Sequence, residues 1–396
     1  MDNTRNKLTM LANRYKRLLS KKYNHICLTN GCNEQAILSH SISKSTLKKI
    51  SEDQHVISPI FNLGVNKSYM SNAIVSEKNV GFKKIGINKA SAYKVFCSKC
   101  DNSIFANLDN NGILSYRELF LQLYRSVCTK KFQNDVVKKS EIDILNYEFN
   151  SNTEFELSSE LSIDNLILLS EDLLIDFPDF DQKIEVPPGH TMVSEAYSDN
   201  VDLRVSFIHK KLPQYFNFSL QNCVHLTLDG ENHYCIFILI PHSDHSSLTI
   251  FCHKNAKEQF LYYMRDEFKT LNLLESILML DSEFYLPPSV LSEWSEEKKN
   301  LIETDYYFVN ERKFLQEYEV SIFDDLRKIV CEKFNGESGI YTNDEKSTLL
   351  NKEYQKLYNL PERPSFRDRI KDIEIYNREQ RIKKFDLSKK KTQQNV

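Results

Sequence analysis

Glycine, proline and tryptophan are scarce in this sequence: its 396 residues include 9, 10 and 1 of them, respectively. The glycine-rich loops that bind phosphates are missing, since neither GxxxxGK followed by Ser or Thr nor GxGxxG occurs. The motifs GxSxG and HExxH, which mark α/β-hydrolases and zinc proteases, are missing as well. The sequence therefore carries no signature of a P-loop, dinucleotide-dependent, serine-hydrolase or zincin enzyme.

Long apolar runs are also absent. The sequence has no stretch of about 18 or more apolar residues, and no charged start leads into an apolar run with a small-residue cleavage site. We expect a soluble, cytoplasmic protein. Its 9 cysteines, an odd number spread along the chain, lack the pattern of a disulfide framework, so we expect reduced thiols or metal ligands.

Charge is segregated along the chain, although the net charge is only −3. Residues 1–133 contain 21 Lys and Arg against 8 Asp and Glu, a net charge of +13, and residues 353–396 contain 12 against 7, a net charge of +5. The centre, 134–352, therefore carries −21. Basic ends around an acidic centre favour binding of a polyanion, and we expect nucleic acid, with DNA favoured, and no membrane as the partner.

Hydrophobic residues at 41% and aromatic residues at 11% can fill more than one core, which predicts two or three domains. The first segment, 1–134, is a basic module that opens with an amphipathic helix over residues 4–23 and contains a second helix over 112–128. The segment 135–188 is acidic and forms a linker or helical connection. We place the domain boundary there.

Beyond the boundary, apolar residues recur with a period of two, which is typical of β-strands. This pattern predicts an antiparallel meander of four strands, at 201–209, 223–230, 233–241 and 246–254. A helix over 257–280 follows, so we expect an α+β sheet domain over 189–298. The rest, 299–396, reads as a charged helical region with a basic tail.

Four of the cysteines form two close pairs. Cys27 and Cys32 flank a short turn in the stretch CLTNGC, and Cys97 and Cys100 lie in VFCSKC. Each pair can direct two sulfurs toward one point, and two such turns supply the four ligands that tetrahedral zinc requires. Gly31 allows the first turn a positive φ angle. We therefore predict a structural Zn²⁺ site.

Two histidines lie near these pairs. His25 precedes Cys27 by two residues, but a turn that already supplies two thiolates does not need it as a ligand. His40 lies between Ser39 and Ser41 and is left free if the cysteines hold the zinc. A free imidazole at that place can accept a proton from water in front of a phosphodiester. The alternative is a structural histidine that bonds a backbone carbonyl.

A cysteine pair at Cys27 and Cys32, a strand-like run that leads into His40, and a second pair at Cys97 and Cys100 that opens a helix together resemble the HNH, or ββα-metal, nucleases, which are built on a zinc-stapled treble clef. The resemblance covers about the first 130 residues and extends to largely uncharacterised bacterial proteins that are plausible in antiphage defence. It implies that His40 is the general base. It further implies that Asp101, with Asn102 as a second candidate, binds a catalytic divalent cation such as Mg²⁺. The spacer of 56 residues between His40 and Cys97 is longer than the family usually has.

The basic residues of this module are candidates for contacts with nucleic acid. We expect Lys44, Lys48 and Lys49 to bind backbone phosphates and Lys94 to line a nucleic-acid-binding groove. The favoured function is a metal-dependent endonuclease.

A function of another class remains open. In it the chain is a non-catalytic zinc-finger module that binds DNA or protein, Ser43 or Ser45 caps the helix of STLKKI, and the acidic α+β domain senses a protein partner or self-associates. A third group, His242, Asp244 and His245, has metal-binding side chains, but a solvated turn between two strands explains it as well.

Overall fold

The structure is a computed structural model, and it describes residues 17–18, 23–61, 80–149, 163–177, 180–199, 202–228, 231–280, 282–308, 317–334, 341–369, 371–372 and 375. Most of the helix predicted over 4–23 and the end of the basic tail, 376–396, lie outside these residues. No helix in the described ranges is long and apolar enough to cross a membrane.

The N-terminal part contains two short antiparallel strand pairs. β1 (Ser39–His40) pairs with β4 (Ala92–Tyr93), and β2 (His55–Phe61) pairs with β3 (Val80–Gly86). Helix α1 (Lys44–Ile50) lies between β1 and β2 in the sequence. It begins after Ser43 because the Ser43 hydroxyl accepts a hydrogen bond from the Thr46 amide at 3.1 Å. The predicted cap at Ser43 is therefore confirmed.

Three helices follow β4: α2 (Ser98–Ile104), α3 (Ala106–Asn111) and α4 (Tyr116–Phe149). The predicted bounds of the third, 112–128, were wrong at both ends. Gly112, with a φ of 77°, ends α3, so α4 starts later. No glycine or proline follows before residue 149, and α4 continues into the segment 135–188 that was predicted as a linker or helical connection.

The central element is a six-stranded sheet, in which every neighbouring pair is antiparallel. With the helices around it, the chain has the predicted mixed α+β class. The strands are β5 (Thr191–Ser198), β6 (Leu203–Pro213), β7 (Ser219–Leu228), β8 (Glu231–Pro241), β9 (His245–His253) and β10 (Glu283–Tyr285).

The strand order is β10-β7-β8-β9-β6-β5, which differs from the predicted meander. Only β7, β8 and β9 follow one another as a meander, while β6 pairs with β9 instead of β7. Apolar side chains on both faces of β6, such as Phe207 and Ile208, favour an interior place in the sheet. The outer strands β5 and β10 were not predicted.

The helix predicted over 257–280 is two helices, because Asp266 caps the second one by accepting a hydrogen bond from the Lys269 amide at 2.8 Å. The remaining helices are α5 (Ile163–Asp176), which precedes the sheet, and α6 (Lys257–Tyr263), α7 (Glu267–Leu278), α8 (Ser289–Ser292), α9 (Glu296–Tyr307), α10 (Asp324–Lys333) and α11 (Asn343–Tyr358).

Alternate residues of the sheet enter two different apolar cores. On β8, Phe237 and Leu239 pack with the helices of the C-terminal half, including α7. Ile236 and Ile238 point to the other face and join a cluster with α4 and with Cys27 and Cys97. The residues around the cysteine pairs therefore share a hydrophobic core with the sheet.

Candidate metal centre

The first cysteine pair lies in a tight hairpin. An isolated bridge between Ile26 and Gln35 closes it, and the Cys32 amide donates to the Thr29 carbonyl at 3.0 Å. Gly31 has a φ of 72°, in the left-handed region, as its position in the sequence predicted. The turn thereby brings the Cys27 and Cys32 side chains to the same side.

The second pair opens a helix. Cys97 is the N-terminal cap of α2, and its sulfur accepts a hydrogen bond from the Cys100 amide at 3.4 Å. Cys100 therefore lies in the first helical turn, next to Cys97. The two parts are joined by backbone hydrogen bonds, from the Leu28 amide to the Val95 carbonyl at 2.9 Å and from the Ile37 amide to the Phe96 carbonyl at 2.8 Å.

The four sulfurs converge on one point. All lie within 4.8 Å of one another, and the Sγ atoms of Cys32 and Cys97 are 3.8 Å apart. Four sulfurs at about 2.3 Å from a central zinc ion, arranged as a tetrahedron, would be about 3.8 Å apart. Cys27 and Cys97 are buried, the other two are half-buried, and each is a free thiol. The predicted cluster is confirmed, and its donor set suits a metal such as zinc.

The thiols influence one another's ionisation. Burial raises the pKa of Cys27, but hydrogen bonds with Thr29 and Cys97 outweigh it, and the pKa falls to about 7. For Cys100, a hydrogen bond with Thr29 lowers the pKa, yet burial and the neighbouring sulfurs raise it to about 12. Four thiolates at this distance repel one another, so a bound cation is what would allow all four to ionise.

His25 lies beside the cluster without joining it. Its Nε2 is 2.8 Å from the Leu18 carbonyl oxygen, and its ring packs on Tyr23 and edge-on against Phe132. The structure thus gives His25 a packing role, which agrees with the expectation that the cysteines supply all the ligands.

His40 is held in the short ribbon of β1 and β4, opposite Ala92. It is half-buried, and its Nε2 lies 3.1 Å from the Ile87 carbonyl oxygen. When Nε2 carries the proton and donates it to this carbonyl, Nδ1 keeps a lone pair that can accept a proton. The alternative given by the sequence, a structural histidine that bonds a backbone carbonyl, predicts the same contact.

Asp101, directly after Cys100 on α2, shares the electrostatic environment of His40. Burial raises the pKa of the Asp101 carboxyl; the charge of Arg125 lowers it, that of Asp109 raises it, and that of His40 lowers it. The Asp101 Oδ1 atom is buried and has no hydrogen-bond partner among the described residues, and the nearest Arg125 nitrogen is 3.7 Å away. A carboxylate oxygen of this kind can ligate a cation.

Asn102, the second candidate on that turn, is exposed and donates its amide to the Ser98 carbonyl at 2.8 Å. The side chain is thus committed to its own helix. Of the two residues, Asp101 is the one that has an unpartnered oxygen for an ion.

The four candidate lysines differ in exposure. Lys44, Lys48 and Lys49 are exposed on α1. Burial lowers the pKa of Lys49, while the charge of Asp244 opposes that shift. Lys94 is buried, and its ammonium donates to the Tyr23 carbonyl at 2.5 Å, so it supports the fold and does not face a phosphate.

Glu283 is the residue at this site that the sequence did not reveal. Its Oε1 accepts hydrogen bonds from the hydroxyls of Ser41 at 2.8 Å and Ser91 at 2.7 Å, and its Oε2 accepts one from the Gln221 amide at 2.5 Å. Ser41 directly follows β1, and Ser91 directly precedes β4. Glu283, on the edge strand β10, therefore contacts both sides of the ribbon that contains His40.

Arg125 was missed as well. Its guanidinium donates to both oxygens of Asp109, at 2.6 and 2.9 Å, and lies 4.1 Å from the centre of the Phe105 ring. The only signal in the sequence was an arginine inside the apolar run LFLQLYRSV. A buried arginine needs a carboxylate partner.

The histidines of the β8–β9 turn form no metal cluster. The rings of His242 and His245 stack 4.5 Å apart, and His245 Nδ1 lies 2.8 Å from an Asp244 oxygen. Burial lowers the pKa of His242 to about 4. Within the described ranges, the four cysteines are the one group of side chains placed to hold a metal ion.

Comparison of the chain with protein-family models, with curated proteins and with solved structures found no match. The function is therefore argued from the arrangement of the cysteines, His40 and Asp101.

Proposed function

We propose that this protein is a metal-dependent endonuclease that hydrolyses phosphodiester bonds, with DNA as the favoured substrate. The observation that carries the proposal is the buried Oδ1 of Asp101, a residue that directly follows Cys100 of the four-cysteine cluster; this oxygen has no hydrogen-bond partner among the described residues. His40, in the ribbon, supplies the imidazole. A potential general base and a carboxylate able to bind a cation are the minimum set for metal-assisted hydrolysis.

The cysteine cluster has a structural role in this proposal. Zinc bound by Cys27, Cys32, Cys97 and Cys100 would join the first hairpin to the start of α2. A hairpin with one ligand pair, followed by a helix whose first turn carries the other, is the arrangement expected of an HNH-like treble clef. The zinc would thereby fix Asp101, which follows Cys100, relative to the ribbon that carries His40.

In the reaction, Nδ1 of His40 accepts a proton from a water molecule as its oxygen attacks the phosphorus atom. The bond from phosphorus to the leaving oxygen then breaks. A divalent cation such as Mg²⁺, when held by Asp101, supplies stabilisation of the charge on the phosphate and on the leaving oxygen. The exposed Lys44, Lys48 and Lys49 are available to bind the backbone phosphates on either side.

The test is a cleavage assay on plasmid and single-stranded DNA with Mg²⁺ or Mn²⁺, comparing the wild type with His40→Ala at equal zinc content. Loss of the base should slow nicking by about a hundredfold or more. His190→Ala, a change at an exposed histidine before β5, is the matched control and should cleave normally. Equal nicking by the wild type and His40→Ala would remove His40 from the mechanism.

A second function is supported by a specific contact. The hydrogen bond between His40 and the Ile87 carbonyl, together with the Ser43 cap, gives the SHSIS segment structural roles that need no chemistry. In that case the chain is a zinc-binding module that binds DNA or protein without cleaving it. DNA binding without nicking, by a wild type that contains zinc, would establish this alternative.

A further inference from the structure

A cavity of about 620 Å³ lies at the end of the sheet, away from the cysteine cluster. It forms where the end of β6, the β8–β9 turn, the α6–α7 turn and the end of α10 meet. Pockets of about 300 to 1,000 Å³ are the usual size for small-molecule sites. Neither the cysteines nor His40 line this cavity, so it is separate from the proposed nuclease site.

Cationic side chains reach this cavity from three elements. Lys210 and Lys211 come from β6, Arg265 from the α6–α7 turn and Lys333 from the last turn of α10. The Lys333 ammonium lies 4.4 Å from the centre of the Tyr215 ring, which also lines the cavity. Arg265 and Lys333 are exposed, so their charges are available to a ligand.

The carboxylates that line the cavity are engaged within the protein. Asp266 caps α7 and also accepts a hydrogen bond from the Tyr341 hydroxyl at 2.6 Å. Glu267 accepts one from the Tyr215 hydroxyl at 2.5 Å, and Asp244 lies 2.8 Å from His245 Nδ1. These contacts hold the three carboxylates in place without removing their charge. Four cations against three carboxylates leave the lining with a net charge of +1, and Arg265 and Lys333 are its exposed cations.

The rest of the lining is apolar and includes Leu212, Val330 and Phe334. We propose that the cavity binds a small organic anion. Its apolar, planar body lies against these side chains, and its carboxylate or phosphate group is bound by Arg265 and Lys333. The combination of an apolar lining with a few convergent charges is what gives such sites both affinity and orientation. This inference does not depend on the proposed nuclease activity.

Fluorescence titration of the full chain with anilinonaphthalene sulfonate, an anionic planar probe, tests the proposal. Phenylnaphthylamine is the uncharged counterpart. The double change Arg265→Ala with Lys333→Ala should weaken binding of the anionic probe about tenfold, since each exposed charge contact contributes up to about 1 kcal/mol. Binding of the uncharged probe should stay the same. Lys328→Ala, an exposed lysine of α10 outside the lining, is the matched control and should change neither.

Unchanged affinity of the double variant for the anionic probe, or an equal loss for both probes, would overturn the proposal, provided that the urea midpoint of the variant matches the wild type. The natural head group is then identified by displacement of the probe with naphthoate or naphthyl phosphate. Displacement by either compound supports the proposal, and the compound that displaces the probe shows whether the cavity prefers a carboxylate or a phosphate group. Displacement by neither would contradict it.

Discussion

His209 is a buried histidine of β6 whose charged form the fold disfavours. Its Nδ1 lies 2.7 Å from the Thr249 hydroxyl on the neighbouring strand. Burial, and then the charges of His242 and His245, lower the pKa of His209 from 6.5 to about 4. The unfolded chain therefore binds a proton at a higher pH than the folded chain does, and acid weakens the fold at this residue.

We predict that this one histidine accounts for a loss of about 2 kcal/mol of folding free energy between about pH 7.5 and about pH 5. The loss begins as the pH falls below 6.5 and is complete below about 4. In urea unfolding at the two pH values, the free energy of unfolding of His209→Gln should fall by about 2 kcal/mol less than that of the wild type. The same change at the exposed His190 should not reduce this fall. A wild-type pH dependence in His209→Gln would contradict the prediction.

For single residues, the sequence predicted those whose partners are close along the chain, and those whose partners are of the same metal-binding type, such as the cysteines. The cysteine cluster followed from two short spacings, and the φ of Gly31 from its place in the first turn. Arg125 and Glu283 were missed because their partners are set by the fold. Glu283 and Ser41 are 242 positions apart, and no local pattern marks either as half of a pair.

Among the elements, the ribbon of β1 and β4 depends on contacts from outside it. Each strand has two residues, and so short a pair is not stable by itself. Besides the two serines and Gln221, the Tyr285 hydroxyl donates to the Glu283 carboxylate at 3.0 Å. A carboxylate with this many donors is an anchor for the elements that supply them.

We predict that Glu283→Ala lowers the free energy of unfolding by about 2 kcal/mol, because it leaves several donors in a half-buried site without their charged acceptor. Guanidinium unfolding of the wild type and the variant measures the change. Glu332→Ala, at an exposed position of α10, is the control and should alter stability little. An unfolding midpoint of Glu283→Ala equal to that of the control would mean that the ribbon does not need this anchor.

Element types were predicted better than element ends and partners. Period-two alternation identified β6, β7, β8 and β9, because each has apolar residues directed to the cores. The single helix predicted over 257–280 was wrong because the apolar spacing continues across the break at Asp266. A helix cap can be recognised from the sequence when the apolar spacing is interrupted at the capping residue. At Asp266 the spacing is not interrupted.

On the scale of the whole molecule, buried charged side chains join α10 and α11 to α7, which packs on the sheet. Arg327 of α10 is fully buried, and its guanidinium donates to Glu275 of α7, Glu353 of α11 and the Asn272 side chain. The other Glu275 oxygen accepts hydrogen bonds from two backbone amides, with the Ile322 amide at 2.9 Å. Three helices thus meet at one charged group.

We predict that Arg327→Met destabilises the protein by about 3–5 kcal/mol, since two carboxylates would stay buried without their cation. The loss should appear as a lower urea midpoint for the whole chain. Arg367→Met, a change at an exposed arginine near the end of the described residues, should cost less than about 0.5 kcal/mol. Similar midpoints for the two variants would show that the buried network contributes no net stability.

The sequence was sufficient for the mixed α+β class and the antiparallel sheet, since both follow from local periodicity. The strand order was not accessible, because pairing of β6 with β9 depends on long-range packing. The division into domains stays a prediction. The core that contains Cys27 and Cys97 also includes Phe207 and Phe251 of the sheet, which lie beyond the boundary segment predicted at 135–188.

The contact of Glu283 with the ribbon also imposes an order in time during synthesis. Glu283 follows Ser91 by 192 positions and Ser41 by 242. At about 5–20 residues per second, the ribosome needs roughly ten seconds or more to cover that distance. A nascent chain can therefore complete its cysteine cluster early, while the His40 ribbon waits for its anchor. In the proposed nuclease, His40 would therefore lie in an incompletely anchored site until residue 283 has been synthesised.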